Sequence, residues 1–399
     1  MSGHENSTAH SNSNHYAFES QFVTLFVLAA ALIFGASPSL AAQRRVGTTQ
    51  KPQKKATTAA ASKPAEALAI VVLGGRQGYV DTAGHYVINP QFYLVYDFHE
   101  GLAAVDPELI TEAGEAGIIQ NKDGTLEPKI DYKFGYIDKT GRFAVNPQFK
   151  SAGSFSEGVA PVELGAVWGY IDRTGKFAIN PQFESAGAFS EGLARVELGG
   201  VWGYIGRTGK FVVQPQFDKA GQFSGGLAYV AVGSRYGYID KDGMLVIKPQ
   251  FDDAYGFDGD LAKVELGGKV GYIDRTGRYI INPQFDDAYE FSEGLALATV
   301  GDKDGYIDKT GRFVINPQFD VAFSFAEGLA PVKLGNRWGY VDVKGKCVIN
   351  PQFDYASTFF HGLAAVEIGG RYGYIDKSGK FAVNPQFDFA GDFKGDENK

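Results

Sequence analysis

Cysteine, histidine and tryptophan are all scarce in this chain of 399 residues, which holds one Cys, six His and three Trp. A single cysteine, Cys347, excludes an intrachain disulfide framework and any thiolate-based metal cluster. Its position is filled by Phe or Tyr in most of the sister segments described below, which marks it as a small core hydrophobe. Only His85, His99 and His361 lie beyond residue 66, in dissimilar surroundings, so no recurring histidine motif has metal-ligand or triad spacing. Positive charge is also in deficit. After residue 66 there remain 32 bases against 43 acids, a net of −11, and such a surface repels phosphate backbones and argues against nucleic acid as a partner. No catalytic constellation, metal site or cofactor motif emerges, and the chain reads as a non-enzyme.

Lysine and arginine are missing from the first 21 residues as well. There follows a 15-residue apolar run, Phe22 to Ala36, then Ser37-Pro38-Ser39 and the small residues Leu40-Ala41-Ala42. Run and small-residue site together read as a secretory signal with cleavage after Ala41 or Ala42. Arg44 and Arg45 directly behind the run favour the opposite orientation, a retained helix, but the run is shorter than the ~20 residues a spanning helix needs. Residues 1–42 are therefore expected to be a signal peptide or, if uncleaved, a membrane anchor, with the protein periplasmic, extracellular or at the cell surface. Residues 43–67, rich in Ala, Thr, Pro and Lys, read as a disordered basic linker.

What the sequence has in abundance is glycine, 52 residues, and self-similarity. Gly-Tyr recurs at Gly78, Gly135, Gly169, Gly203, Gly237, Gly271, Gly305, Gly339 and Gly373; after a first step of 57, every step is 34 residues. Pro-Gln-Phe repeats in the same register from Pro90 to Pro385. There are thus nine units over residues 68–396, with an insertion of 23 residues at about 106–130 and a polar tail at 397–399.

Within a unit three short runs alternate apolar and polar residues as strands do. In the fourth unit these are Ala194 to Leu198, Trp202 to Ile205 and Lys210 to Val213. Gly199-Gly200 supplies the positive φ of a tight hairpin, and Asp-Lys/Arg-Thr-Gly, as at Asp172 to Gly175, forms the second turn. Proline ends the third strand. The spacing of Phe183, Ala186 and Phe189 fits one helical or 3₁₀ turn pointing all three residues into the gap between units. The expected fold is all-β: tandem three-stranded meanders stacked as an open, curved solenoid, because the units end in phase and no strand is divided between the termini. A closed, propeller-like array is the alternative.

Trp168-Gly169, Trp202-Gly203 and Trp338-Gly339, each followed by Tyr-Ile/Val, resemble the bacterial WG, or KWG, repeat family over residues 68–396. The resemblance implies β-rich modules of exported or envelope-associated proteins and no shared catalysis. Gln77, Phe134, Tyr236, Val270, Asp304 and Tyr372 replace the tryptophan elsewhere, and this drift suggests an exposed position. Trp168, Trp202, Tyr236, Trp338 and Tyr372 are accordingly the candidate binding stripe, while the Gly-Tyr tyrosines read as core. The repeated Asp, at Asp138, Asp172 and six other turns, reads as turn chemistry rather than a calcium ladder, and Ser156, Ser190 and Ser292 as turn formers. The leading functional expectation is an exported scaffold that presents an extended surface to an envelope protein or to a cell-wall or extracellular glycan. A structural spacer is the second reading and an enzyme with a site at the insertion the third, although Glu108, Glu112 and Glu115 there read as a solvated face.

Overall fold

The computed structural model describes residues 67–107, 110–111, 118–120, 126–128, 130–131 and 133–395. The apolar run, the basic linker up to residue 66, Glu108, Glu112 and Glu115 of the insertion, and the last four residues lie outside the described residues. Every regular element among those described is a β-strand. Nine small antiparallel sheets, each built on four strands running from a short inner strand, two residues long except in blade 6, to a seven-residue outer one, form a nine-bladed β-propeller, and in blade 1 a fifth short strand is added. In blade 4 the strands are Ser185–Ala186, Ala194–Leu198, Val201–Ile205 and Phe211–Phe217.

The ring is closed, which corrects the open solenoid expected from sequence. Blade 1 takes three strands from the beginning of the array, Ala67–Leu73, Arg76–Val80 and Tyr86–Phe92, and its fourth, Phe389–Ala390, from the end. Val71 pairs with Ala390 and Val72 with Phe389, and Lys394–Gly395 adds two further pairs to Leu68 and Ala67. Asp388 then bonds the Gly74 amide and ion-pairs with Arg371 of blade 9. The same arrangement recurs inside the array, where Asp252 bonds the Gly267 amide and pairs with Arg235. Closure thus reuses an ordinary blade junction, and Phe393, near the end of the last repeat, is fully buried in it.

Three local expectations are corrected as well. The Phe183-Ala186-Phe189 segment is no helical turn: Ser185–Ala186 pairs with Glu197 and Val196 as the blade's inner strand. Proline does not end the third strand. Pro181 sits inside Phe177–Phe183, where Trp168 faces Phe183 and Tyr170 faces Ile179, so that Asn180-Pro181-Gln182 bulges out of the ladder. This is the outer edge of the sheet, where a missing N–H costs nothing and a bulge with proline discourages edge-to-edge pairing. Cys347 opens that outer strand in blade 8 and is exposed, not core.

The cores lie between blades, as in the cluster of Tyr170, Ile179 and Phe183 of blade 3 with Phe189, Ala194, Val196 and Ile205 of blade 4. The nine Gly-Tyr tyrosines are all buried, as expected. Each phenol donates to a backbone carbonyl of the next blade, as Tyr204 does to Gly221 at 2.8 Å and Tyr170 to Gly187 at 2.7 Å. Each ring packs on the next blade's anchor phenylalanine, Tyr204 on Phe223 with centroids 4.8 Å apart. Tyr204→Phe removes the donor and strands a buried carbonyl, so we expect a loss of about 1 to 2 kcal/mol in denaturant unfolding, with the fold retained.

The repeated Asp builds its turn directly. Asp172 accepts from the Thr174 amide at 2.8 Å, the Thr174 hydroxyl at 2.7 Å and the Lys176 amide at 3.1 Å. The hydroxyl bond is the largest of the influences that hold its carboxyl below the ordinary 3.8, and Asp274, Asp308 and Asp376 are lowered in the same way. A lowered folded-state pKa gives stability that is complete above the unfolded value and is lost as pH falls through the folded one. Melting temperature is therefore expected to drop as pH is lowered from about 4 towards about 2, and Asp172→Asn with Asp274→Asn should make that drop shallower.

Candidate functional site

The inner edge of each blade is its short first strand, two residues long in every blade but blade 6, where it is Asp253–Asp258. Neighbouring inner segments meet, with Gln222 Nε2 donating to the Ala188 carbonyl at 3.4 Å and Thr358 approaching Asp392 at 3.5 Å. On the outer strands, by contrast, side chains such as Val212, Val314 and Val348 are exposed. The second residue of the inner strand, alanine in eight blades and Val95 in blade 2, turns towards the core, while the residue before it, Leu94 in blade 2, faces the rim. That rim residue changes chemistry around the ring: Ser151 and Ser185 in blades 3 and 4, Lys219 in blade 5, Asp253 and Asp287 in blades 6 and 7, and Val321, Tyr355 and Phe389 in blades 8, 9 and 1.

Cross-strand pairing places the candidate stripe in the same row as this rim residue, since Ser151 faces Glu163 and Glu163 faces Trp168. The row lies against the following blade. Tyr236, Trp338 and Tyr372 are buried and Trp168 and Trp202 half-buried, so the position is not the exposed one that its sequence drift suggests. The drift has another cause. Where the aromatic is missing, a polar replacement bonds the next blade's inner strand: Gln77 Oε1 accepts from the Val95 amide at 2.9 Å, and Asp304 accepts from the Ala322 amide at 2.8 Å. In blades 8, 9 and 1 the aromatics instead form a ladder, Phe323 on Trp338 at 5.0 Å, Trp338 on Tyr355 at 5.8 Å, Tyr355 on Tyr372 at 6.2 Å and Tyr372 on Phe389 at 5.3 Å. The structure thus connects two of the five candidates, Trp338 and Tyr372, through neighbouring rings, and leaves Trp168, Trp202 and Tyr236 in separate junctions.

The acidic arc of blades 6 and 7 has its own electrostatics. Burial, then the charges of Asp253, Asp252 and Asp287, pushes the Glu265 carboxyl above its ordinary value. Asp304 is raised by burial against the pull of its bonds from Thr299 and Ala322. Among the described residues no group of three or more His, Cys, Asp or Glu is placed to hold a metal ion.

Sequence reasoning missed the clasp on the opposite face. Ser156 donates to the Phe189 carbonyl at 2.7 Å and Ser190 to that of Phe223 at 2.8 Å, each reaching the following blade. Glu157 and Glu191 adopt φ of 52° and 54° and turn their carboxylates onto the next blade's Gly192 and Gly226 amides at 3.0 and 2.9 Å. The Ser-Glu-Gly recurrence was the visible signal, but a local turn explained it sufficiently without a partner 35 residues away. The insertion leaves from the other face, the one carrying the Gly-Gly turns, and replaces that turn in blade 2. Its described parts are two short ribbons, Ile110–Thr111 with Ile130–Asp131 and Ile118–Gln120 with Leu126–Pro128.

No curated protein matches this sequence. Among solved structures, a crystal structure of the eukaryotic initiation factor is similar with a TM-score of 0.54 at 10% identity, over 84% of this chain and 100% of that one. Dihydro-heme d1 dehydrogenase NirN is similar at 0.46 and 11% identity, over 84% and 76%. At such identities the first likeness speaks for the fold alone. The WG containing repeat matches nine times, at residues 78–106, 134–166, 168–202, 202–236, 236–269, 271–303, 305–338, 338–372 and 372–397. With nine tandem repeats that fold as the nine blades of one closed propeller, this chain belongs to the WG repeat family.

Proposed function

We propose that the propeller is a non-catalytic interaction scaffold, exported and held at the bacterial cell envelope, which binds an envelope protein or a cell-wall or extracellular glycan at its inner rim. The observation that supports this most is the division of labour within the repeat. Residues common to the units, Gly-Tyr, Pro-Gln-Phe and the anchor Phe, are consumed in bulges and inter-blade cores, whereas the rim residue runs from Ser through Lys and Asp to Val, Tyr and Phe. A surface graded in this way offers different chemistry to different parts of one partner. The aromatic ladder, with Tyr355 and Phe389 half-buried beside the more deeply placed Trp338 and Tyr372, belongs to that surface.

The spacer reading loses its physical basis in a closed ring, where added units widen the circumference rather than lengthen a rod. Export rests on the apolar run and the small residues after it, and amino-terminal sequencing of the mature protein together with cell fractionation tests it. For binding, the mature protein is captured on purified wall polymers and on envelope extracts, alongside a triple variant in which Val321, Tyr355 and Phe389 become Ser. Retention that falls in the triple variant supports the scaffold; retention no greater than that of an unrelated acidic protein contradicts it. Excising Asp106 to Pro128 tests the insertion: an activity lost with the fold intact would make the protein an enzyme.

A further inference from the structure

The repeated clasp fails between blades 6 and 7. Asp258, Gly259 and Asp260 stand there in place of Ser190, Glu191 and Gly192, and the inner strand runs on as Asp253–Asp258. Elsewhere, away from the blade that closes the ring, at least one of the two clasp bonds is made, as by Ser224 to Phe257 at 2.5 Å, Ser292 to Phe325 at 2.6 Å and Glu327 to the Gly362 amide at 3.0 Å. The junction is correspondingly loose. Phe291 is only half-buried, whereas the other eight anchor phenylalanines are buried, and Leu261 is half-buried where Leu193, Leu227 and Leu295 are buried. What opens is a shallow cleft lined by Gly256, Asp258, Leu261, Lys263, Tyr272, Glu290 and Phe291, with room inside for about one water-sized group, roughly 10 Å³, so that only a single ligand substituent enters it and the rest lies across its mouth.

Lys263 lies in that lining and is 91% buried, with a relative exposure of 9%. Its Nζ sits 3.9 Å from the Tyr255 ring centroid and 5.3 Å from that of Tyr289. Among the described residues it makes no hydrogen bond and no ion pair. The equivalent base in blade 4, Arg195, spends its guanidinium on the Ala220 carbonyl at 2.6 Å. An ammonium carried on a mostly buried stem and packed on two aromatic faces keeps N–H donors for something that enters the cleft. Around it stand the half-exposed ring of Phe291 and, at the mouth, the exposed carboxylates of Asp258 and Glu290.

Donor at the floor, apolar ring on the wall and carboxylate acceptors at the rim match the faces of a pyranose. One hydroxyl or acyl oxygen accepts from Lys263, the C–H face lies on Phe291, and outer hydroxyls donate to Asp258 and Glu290. The carboxylates oppose an anionic ligand, and a cation meets the ammonium, so a neutral sugar is the best fit. We propose that the junction of blades 6 and 7 is a binding site for one neutral pyranose unit, with Lys263 as its floor donor. This deepens the glycan branch of the proposed function and rests on it.

Saturation-transfer NMR on the intact chain tests it, with glucose and N-acetylglucosamine as neutral probes and glucuronate as the anionic one. Transfer to at least one neutral sugar is expected, with glucuronate weaker. Lys263→Met keeps an unbranched stem between the two tyrosines but loses the donor, and should weaken binding about tenfold, or 1.4 kcal/mol. Ser156→Ala, in a distant junction, should leave binding unchanged. If Lys263→Met lowers the melting temperature, Glu290→Gln at the exposed mouth, read by the same transfer, carries the test. No transfer from either neutral sugar, transfer from glucuronate alone, or transfer preserved in both Lys263→Met and Glu290→Gln overturns the site. Wall-polymer capture by the intact chain that persists in such a case leaves the scaffold reading standing.

Discussion

Gly203→Ala is expected to destabilise the propeller by about 3 kcal/mol, the upper end for overpacking a filled site. The glycine of the family's name is at ordinary negative φ and has no conformational reason to be there. Its reason is the bulge across from it. A Cβ on Gly203 would lie 2.6 Å from the Val213 carbonyl oxygen and 2.6 Å from the Pro215 nitrogen, both backbone atoms that cannot swing aside. The other eight Gly-Tyr glycines face the same obstruction from their own Pro-Gln-Phe segments, so the two motifs are halves of one packing requirement. Gly199→Ala provides the contrast: a Cβ there meets nothing within 4 Å, and only its φ of 67° opposes the change, a strain of about 1 kcal/mol. Urea unfolding of the two variants side by side should show the larger loss at Gly203, even though Gly199 is the residue in the left-handed conformation.

Phe393→Ala is expected to cost about 3 to 5 kcal/mol, the same as Phe223→Ala in the middle of the array. Phe393 is fully buried, with its ring centroid 4.7 Å from that of Tyr374, in a core that also holds Ala69, Val71 and Val80 of blade 1. That core joins the last repeat to the first strands, and the aromatic at its centre fills the place that Phe223 fills against Tyr204. In an open array Phe393 would sit on a free end with no following blade, and its truncation would cost under about 1 kcal/mol. Calorimetry of the two variants separates the cases, and equal shifts in melting temperature are the expected result.

Much of this was legible in the sequence, for local reasons. Gly199-Gly200 and the Asp-x-Thr-Gly turns depend on residues a few positions apart, and the structure has them at positive φ and in the expected hydrogen bonds. The tyrosines' burial followed from their strand periodicity. What escaped depends on a neighbour 17 to 35 residues away. The inner strand of each blade is spelled as the tail of the preceding repeat, so repeat and blade are out of phase by one short strand. That offset leaves three strands at one end of the array and one at the other, which is the latch of the ring. A two-residue strand such as Phe389–Ala390 has no alternation to detect, and in sequence it looks like every other segment after Pro-Gln-Phe. The candidate stripe was read as exposed because substitution by Gln77 and Asp304 resembles tolerance; the amides of Val95 and Ala322 that satisfy them were invisible. Cys347 misled in the opposite sense, since the aromatics at its position cap the outer rim, as Phe211 does over Phe183 at 6.2 Å, without being fully buried.

The closed ring is the claim on which the rim, its graded chemistry and the proposed scaffold all depend, and one cross-link tests it. Val71 and Ala390 are 319 positions apart in sequence and direct partners across the closing strands. In a Cys347→Ser background, Val71→Cys with Ala390→Cys should form an intrachain disulfide on mild oxidation, seen as a monomer with altered mobility on a non-reducing gel and a mass lower by two hydrogen atoms. A chain whose two introduced thiols stay free in the folded monomer would contradict the ring.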